Sequence, residues 1–279
     1  MRRHAIILGF ALCLTGIAPA HALTADDAVR IALRKHIAPT GPIHDAAEPD
    51  VAAAMTEFVE DVRGAWFRAV AARQALALLD EVRETLDLSA EFAQSLRDAG
   101  NLSALDLMRH QVLQAETTAG LAVLRADLQI EQERLAHLVG MALSDLGLPD
   151  KLADVPPSPA AAPPTASLPP EAQWSVRTAH LKYLAAHERA RAYAATIVPL
   201  RRKITEETTL RFNGMLVDIF ALLADVREQA SASLTAIEAE RDFWLAENAL
   251  RYAEVVSHEP QAAPVLAPGA RSGAAGGGH

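Results

Sequence analysis

Residues 51–148 contain no proline, and apolar side chains recur through them with a spacing of four and three. Val51, Met55, Phe58, Val62, Ala65, Ala69, Ala72, Leu76 and Leu79 form one heptad seam. Val82, Leu86, Ala93 and Leu96 continue it, with Ser89 as its weak point. A seven-residue repeat keeps one stripe of a helix facing a partner helix, so this stretch reads as long, coiled-coil-like helix. A helix over residues 51–99 is about 70 Å long at the helical rise per residue. Gly100 and Asn101 then supply turn and cap chemistry, and Ser103 can cap a return helix. The return arm, residues 104–139, carries two offset seams. One is Leu105, Met108, Val112, Ala115, Ala119 and Ala122; the other is Leu121, Leu124, Leu128, Leu135 and Leu138, interrupted by Glu131. Two seams let one helix touch neighbours on two sides. Gly140, Gly147 and Pro149 close the arm.

The layout is then repeated. A second helical region spans residues 171–255, with one proline, Pro199, expected to kink it. Its one glycine, Gly214, aligns with Gly100 at an offset of 114, and each glycine is followed by any residue and then leucine. A long arm precedes and follows each glycine, and the two returning arms are of similar length, so the fold expected is all-α: two long antiparallel helical hairpins in pseudo-repeat. Residues 151–170 hold seven prolines, which reads as extended, unpacked, polyproline-like linker. At the start, Arg2 and Arg3 precede an apolar run that is too short to span a bilayer, and Ala20, His21 and Ala22 form a small-x-small cleavage site. A short amphipathic helix over residues 23–36 follows, with Thr24 as its cap. The division expected is a signal peptide at 1–22, an N-terminal hairpin at 23–150, a linker at 151–170, a C-terminal hairpin at 171–258 and a disordered tail at 259–279.

Composition narrows the function. Alanine and leucine dominate an apolar content of 51%, while aromatics are 5%, a palette that favours helix over strand. The net charge of −9 leaves no global basic field for nucleic acid. The single cysteine, Cys13, falls in the expected signal peptide, so the mature chain has neither a disulfide nor a cysteine nucleophile. No nucleophile motif, phosphate loop or metal-ligand cluster is present, and an enzyme is not expected. No cofactor or metal ligand is assigned. The ten histidines, His110, His180 and His187 among them, read as surface residues; the last two stand seven apart and can share a helix face with Glu188 nearby.

Three places in the chain carry a family resemblance. Leu23, Thr24, Ala25, Asp26, Asp27, Ala28, Val29, Arg30, Ile31, Ala32 and Leu33 form an opening helix directly after the signal. Residues 100–140 form a return helix that closes on Leu138, Val139 and Gly140. Residues 198–252 carry Pro199, Leu200, Arg201 and Arg202, then Arg211, Phe212, Asn213, Gly214 and Met215. In this order they resemble the TolC-type outer-membrane efflux proteins, the outer component of tripartite pumps. The last stretch is similar to a branch associated with metal, particularly copper, resistance.

The resemblance implies a homotrimer whose protomers each give two hairpins to a periplasmic tunnel and four strands to an outer-membrane barrel. It also implies that the hairpin tips meet a periplasmic adaptor protein, which makes Gly100, Asn101, Leu102, Ser103, Gly214, Met215 and Leu216 the candidate partner-contact residues. Two departures stand against the full family pattern. The gaps where barrel strands belong, residues 37–50 and 151–170, are short or rich in proline, so no barrel strands are expected. An acidic gate behind the second tip is not supported, because Phe220 and Leu223 occupy those positions. The leading expectation is an exported efflux component, in the periplasm or at the outer membrane, reduced to its helical part. Two alternatives remain open: a periplasmic helical scaffold that binds an adaptor without transport, and a periplasmic accessory protein of metal resistance.

Overall fold

The computed structural model describes residues 22–36 and 48–258. The expected signal sequence up to residue 21, the loop at 37–47 and the tail at 259–279 lie outside the described residues. The described chain forms α1 (Ala25–His36), α2 (Glu48–Asp98), α3 (Ala104–Val139), α4 (Pro170–Ala192), α5 (Val198–Asn213) and α6 (Ile219–His258). No strand occurs among the described residues, and none of their helices is long and apolar enough to cross a membrane.

Local chemistry sets the helix ends. The Thr24 hydroxyl accepts from the Asp27 amide at 3.1 Å, and Asp26 and Asp27 sit in the first turn of α1, where the helix dipole favours acids. At α3 the Ser103 Oγ accepts from the Asp106 amide at 3.1 Å and donates to the Asp106 carboxylate at 2.6 Å. That arm ends at Gly140, whose φ of 70° suits glycine. The Lys35 side chain of α1 occupies the space where a Cβ on residue 140 would stand. At Pro199, where a kink was expected, the α-helix is interrupted: the turn before it, Tyr193–Ile197, is π-helical. Proline has no amide to give to the preceding turn, and the widened turn absorbs the missing bond.

The four arms lie side by side in a single layer. α2 packs against α3 on one side and α6 on the other, and α6 packs in turn against the arm made of α4 and α5. α3 and the α4–α5 arm are therefore the two open edges. Cross-arm pairs fix the antiparallel register of the first hairpin: Arg68 to Glu131 at 3.3 Å, Arg125 to Asp80 at 3.0 Å and Gln114 to Asp87 at 2.7 Å. Arg125–Asp80 is exposed and the other two pairs are part-buried; a solvent-exposed pair adds little stability, about 0–1 kcal/mol, and mainly selects the register. Between the hairpins, Asn248 of α6 is buried and donates to the Glu60 carbonyl of α2 at 2.9 Å.

Two apolar clusters hold the end away from the tips. In the first, Ala28 and Ala32 of α1 pack on Val62, Ala65 and Ala69 of α2 and on Leu135 and Val139 of α3. Alanine at these positions lets the short helix approach closely. The Trp66 indole donates to the Leu23 carbonyl at 2.8 Å, which pins the start of α1. In the second, Val176, Tyr183 and Ala190 of α4 meet Ala239, Phe243, Leu250 and Ala253 of α6. Phe67 and Trp244, stacked with centroids 5.7 Å apart, join the two clusters. Trp66, Phe67, Tyr183 and Phe243 thus pack between helices, whereas Trp174 is exposed. Toward the second tip the core becomes polar, and α5 has no buried residue. Thr205 and Thr208 of α5 donate to the Asp225 carbonyl and carboxylate, and Arg201 pairs with Glu228 at 3.1 Å. With few buried apolar contacts, this half has less to hold it than the body.

The proline-rich segment corrects the expectation of an unpacked linker. It has no regular structure, yet it straps the bundle. Leu152, Val155 and Leu168 are buried. The Leu152 amide donates to the Gln74 side chain at 3.1 Å, and the Trp244 indole donates to the Ala153 carbonyl at 3.0 Å. His187 Nε2 lies 2.8 Å from the Pro156 carbonyl, so this nitrogen carries the proton and donates. The Ala160 amide donates to the Tyr183 hydroxyl at 2.9 Å. A few apolar anchors and borrowed side-chain partners pack a segment whose prolines exclude it from helix and sheet.

Glu240 lies beside the strap. Burial, and then the Asp154 carboxylate, push its carboxyl above the ordinary value of 4.5, against the opposing pull of Lys151 and Gln74. A carboxyl whose pKa rises on folding binds its proton more tightly in the folded state. Its charged form therefore costs stability at neutral pH, and the cost fades as pH falls through the raised value. Glu240→Gln is expected to raise the melting temperature at neutral pH and to leave it unchanged well below 4.5. A lower melting temperature at neutral pH would show that the attraction of Lys151 outweighs burial.

Candidate functional site

Both tips lie at the same end of the layer and share a cleft of about 500 Å³. Asn101 and Leu102 from the first tip line it, with Phe92 and Leu96 of α2 below them. Phe212, Asp218, Ile219 and Phe220 from the second tip line the facing wall. Of the seven candidate contact residues, the cleft takes in Asn101 and Leu102. Met215 and Leu216 stand at the apex of the second tip, 93% and 77% exposed.

The two turns are built alike, but their register is one residue off the glycine alignment. In the first, the Asn101 amide donates to the Leu96 carbonyl and Gly100 takes a φ of 75°. In the second, the Leu216 amide donates to the Arg211 carbonyl, and the left-handed residue is Met215, with a φ of 57°. Gly214 takes a φ of −82°, which any residue adopts. The equivalence is therefore Gly100 with Met215 and Ser103 with Asp218. Asp218 Oδ1 accepts from the Ala221 amide at 2.8 Å, the same capping bond that Ser103 makes. Leu102 is buried and its counterpart Val217 half-buried. Glycine is a poor register marker where another residue can hold the left-handed position. The paired caps three residues on were the better signal.

Below the tips, the α2–α3 seam contains a polar layer. His110 is 3% exposed, which corrects its reading as a surface histidine. Its Nε2 lies 3.0 Å from Ser89 Oγ, and that hydroxyl donates to the Leu86 carbonyl at 2.8 Å. The serine proton being used, His110 Nε2 is the donor, and the buried Nδ1 finds no protein partner. Ser89 was the weak point of the α2 seam because it faces this imidazole. His187 is also buried, held by the strap. Among the described residues no group of three metal-ligating side chains gathers.

The edges of the layer carry exposed apolar side chains. On α3, the seam of Leu105, Met108 and Val112 lies 54%, 54% and 57% exposed, whereas Leu121 and Leu135 of the second seam are buried. On the opposite edge, Leu200, Ile204 and Leu210 of α5 and Leu181 of α4 are exposed.

No protein-family model matches the sequence, and no curated protein matches it. Solved structures do. The outer-membrane channel OprN is 17% identical, with a TM-score of 0.62 over 82% of this chain and 69% of its own. The outer membrane protein VceC from Vibrio cholerae is 10% identical, with a TM-score of 0.61 over 82% of this chain and 75% of its own. CusC, described through the conformational changes of its folding and transmembrane channel formation, is 11% identical, with a TM-score of 0.62 over 83% of this chain and 92% of its own. At these identities the likeness is one of fold. The described chain has the helical-hairpin fold found in outer-membrane channels, and the resemblance to the TolC-type proteins holds at that level.

Proposed function

We propose that this chain is a TolC-like component of an export system that acts by assembly, its hairpins forming part of a periplasmic sheath and its tips meeting an adaptor protein. The observation that carries the reading is the single four-arm layer with both tips at one end and an apolar seam on each open edge. A layer open at both edges leaves apolar stripes in water, and such stripes mark interaction surfaces. Pairing the α3 edge of one copy with the α5 edge of the next covers both stripes, and a ring of copies leaves no edge free. A trimer is the number the TolC likeness supports. The absence of a strand among the described residues favours a helical role. A non-transporting scaffold that binds the same adaptor uses the same surfaces.

Edge pairing makes a direct prediction. Met108 lies five residues beyond the cap Ser103, and Leu210 lies four before the cap Gly214, so they stand at similar heights on opposite edges. With Cys13 in the expected signal peptide, the mature chain offers a cysteine-free background. Met108→Cys combined with Leu210→Cys is expected to give a covalent trimer on mild oxidation, read on a denaturing gel. An open-ended ladder would replace the ring with a filament, and monomers alone would remove edge pairing.

A further inference from the structure

The apex of the second tip combines strain with exposure. Met215 takes the left-handed backbone conformation, rare and costly for a residue with a Cβ. Its amide bonds the Phe212 carbonyl at 2.9 Å and the next amide bonds the Arg211 carbonyl at 2.9 Å, so the turn geometry imposes the conformation. A glycine stands one residue earlier, at Gly214, where the backbone does not need it. At the equivalent apex of the first tip glycine holds the left-handed position, Asn101 is exposed, and Leu102 is turned inward at 8% exposure. The second tip therefore spends backbone strain to hold a methionine and a leucine in water, and the first presents a polar apex. Strain kept at a solvent-facing position, with no packing gained in the protomer, points to a contact outside it.

We infer that docking to the adaptor is asymmetric: Met215 and Leu216 of the second tip are its apolar anchor, and the apex of the first tip contributes little. The inference rests on the tip-docking reading above and names the chemistry of that contact. The partner surface is an apolar pocket that accepts a methionine side chain, an unbranched, polarizable group that fits irregular cavities. The nearby charges of both signs, Asp106 with Arg109 at 3.1 Å and Asp218 with Arg211 in the same turn, leave no single-sign field at this end. The contact is therefore expected to be nearly insensitive to salt.

The test uses the full mature chain and a purified periplasmic adaptor protein of a tripartite pump, with binding followed by interferometry and stability by thermal scan. Met215→Gly relieves the strained backbone and removes the anchor. It is expected to raise the melting temperature by about 2–4 °C and to weaken adaptor binding at least about tenfold. Met215→Leu is expected to keep binding within about threefold, and Asn101→Ala to leave it unchanged. A structural role for Met215 would lower stability and binding together, whereas the inference requires them to move in opposite directions. If the adaptor binds the wild type and Met215→Gly equally, or if Met215→Gly melts lower, the asymmetric anchor is wrong and tip docking stands. If the wild type binds no adaptor, tip docking fails and this inference fails with it.

Discussion

The variant Leu105→Gln, Met108→Gln, Val112→Gln is expected to stay folded and to run as a monomer. These three side chains of α3 are more than half exposed and belong to neither core cluster, although Val112 also borders a cleft shared with Phe220 and Leu223 of α6. Glutamine has a helix propensity close to those of leucine and methionine, so the cost to the protomer is about 0.5 kcal/mol or less. The cost to assembly is far larger. Burying one such apolar side chain contributes about 1.5–3 kcal/mol, and a contact that repeats around a ring is weakened at every interface at once. Light scattering reads the mass and circular dichroism the helix content. A variant that keeps the wild-type mass would move the interface away from this seam. A variant that loses its helical signal would place the seam in the protomer core.

Phe243→Ala carries the largest expected loss of stability. Phe243 is 1% exposed and lies within 5.0–5.7 Å, ring to ring, of Trp244, Tyr183 and His187. It joins α4 to α6 and supports Tyr183 and His187, two of the side chains that hold the strap. Truncating a buried phenylalanine costs about 3–5 kcal/mol, from lost transfer energy and the cavity left behind. Phe243→Leu is expected to cost clearly less, since most of the volume remains. Denaturant midpoints are best compared in the monomeric background, because assembly makes stability depend on concentration. A loss below about 1 kcal/mol would show that the cluster collapses around the gap.

Periodicity made the arms legible, because a long helix must repeat its stripe to bury it. Ser103, Gly140 and Pro199 announced where arms begin, end and break, and the structure places a cap, a left-handed glycine and a π-turn there. The two seams of α3 were visible, but their difference was not. Leu121 and Leu135 are buried and the rest of that seam is half-buried, while Leu105, Met108 and Val112 are exposed, because α2 covers one side only, a fact of the tertiary layer that periodicity does not encode. The strap was misread for a related reason: its packing is supplied by His187, Tyr183, Gln74 and Trp244, which lie far away in the chain. The buried His110 had one local trace, the gap at Ser89, which matters only once α3 is laid against α2. The cleft wall of Phe212, Ile219 and Phe220 became visible only when the two tips met.

An open helical layer of this kind is expected to close on copies of itself. Light scattering of the mature wild-type chain, in plain buffer and in mild detergent, tests it most directly. The expected mass is three times that of the protomer. A monomer in both conditions, at every concentration up to that of the crosslinking experiment, would contradict it.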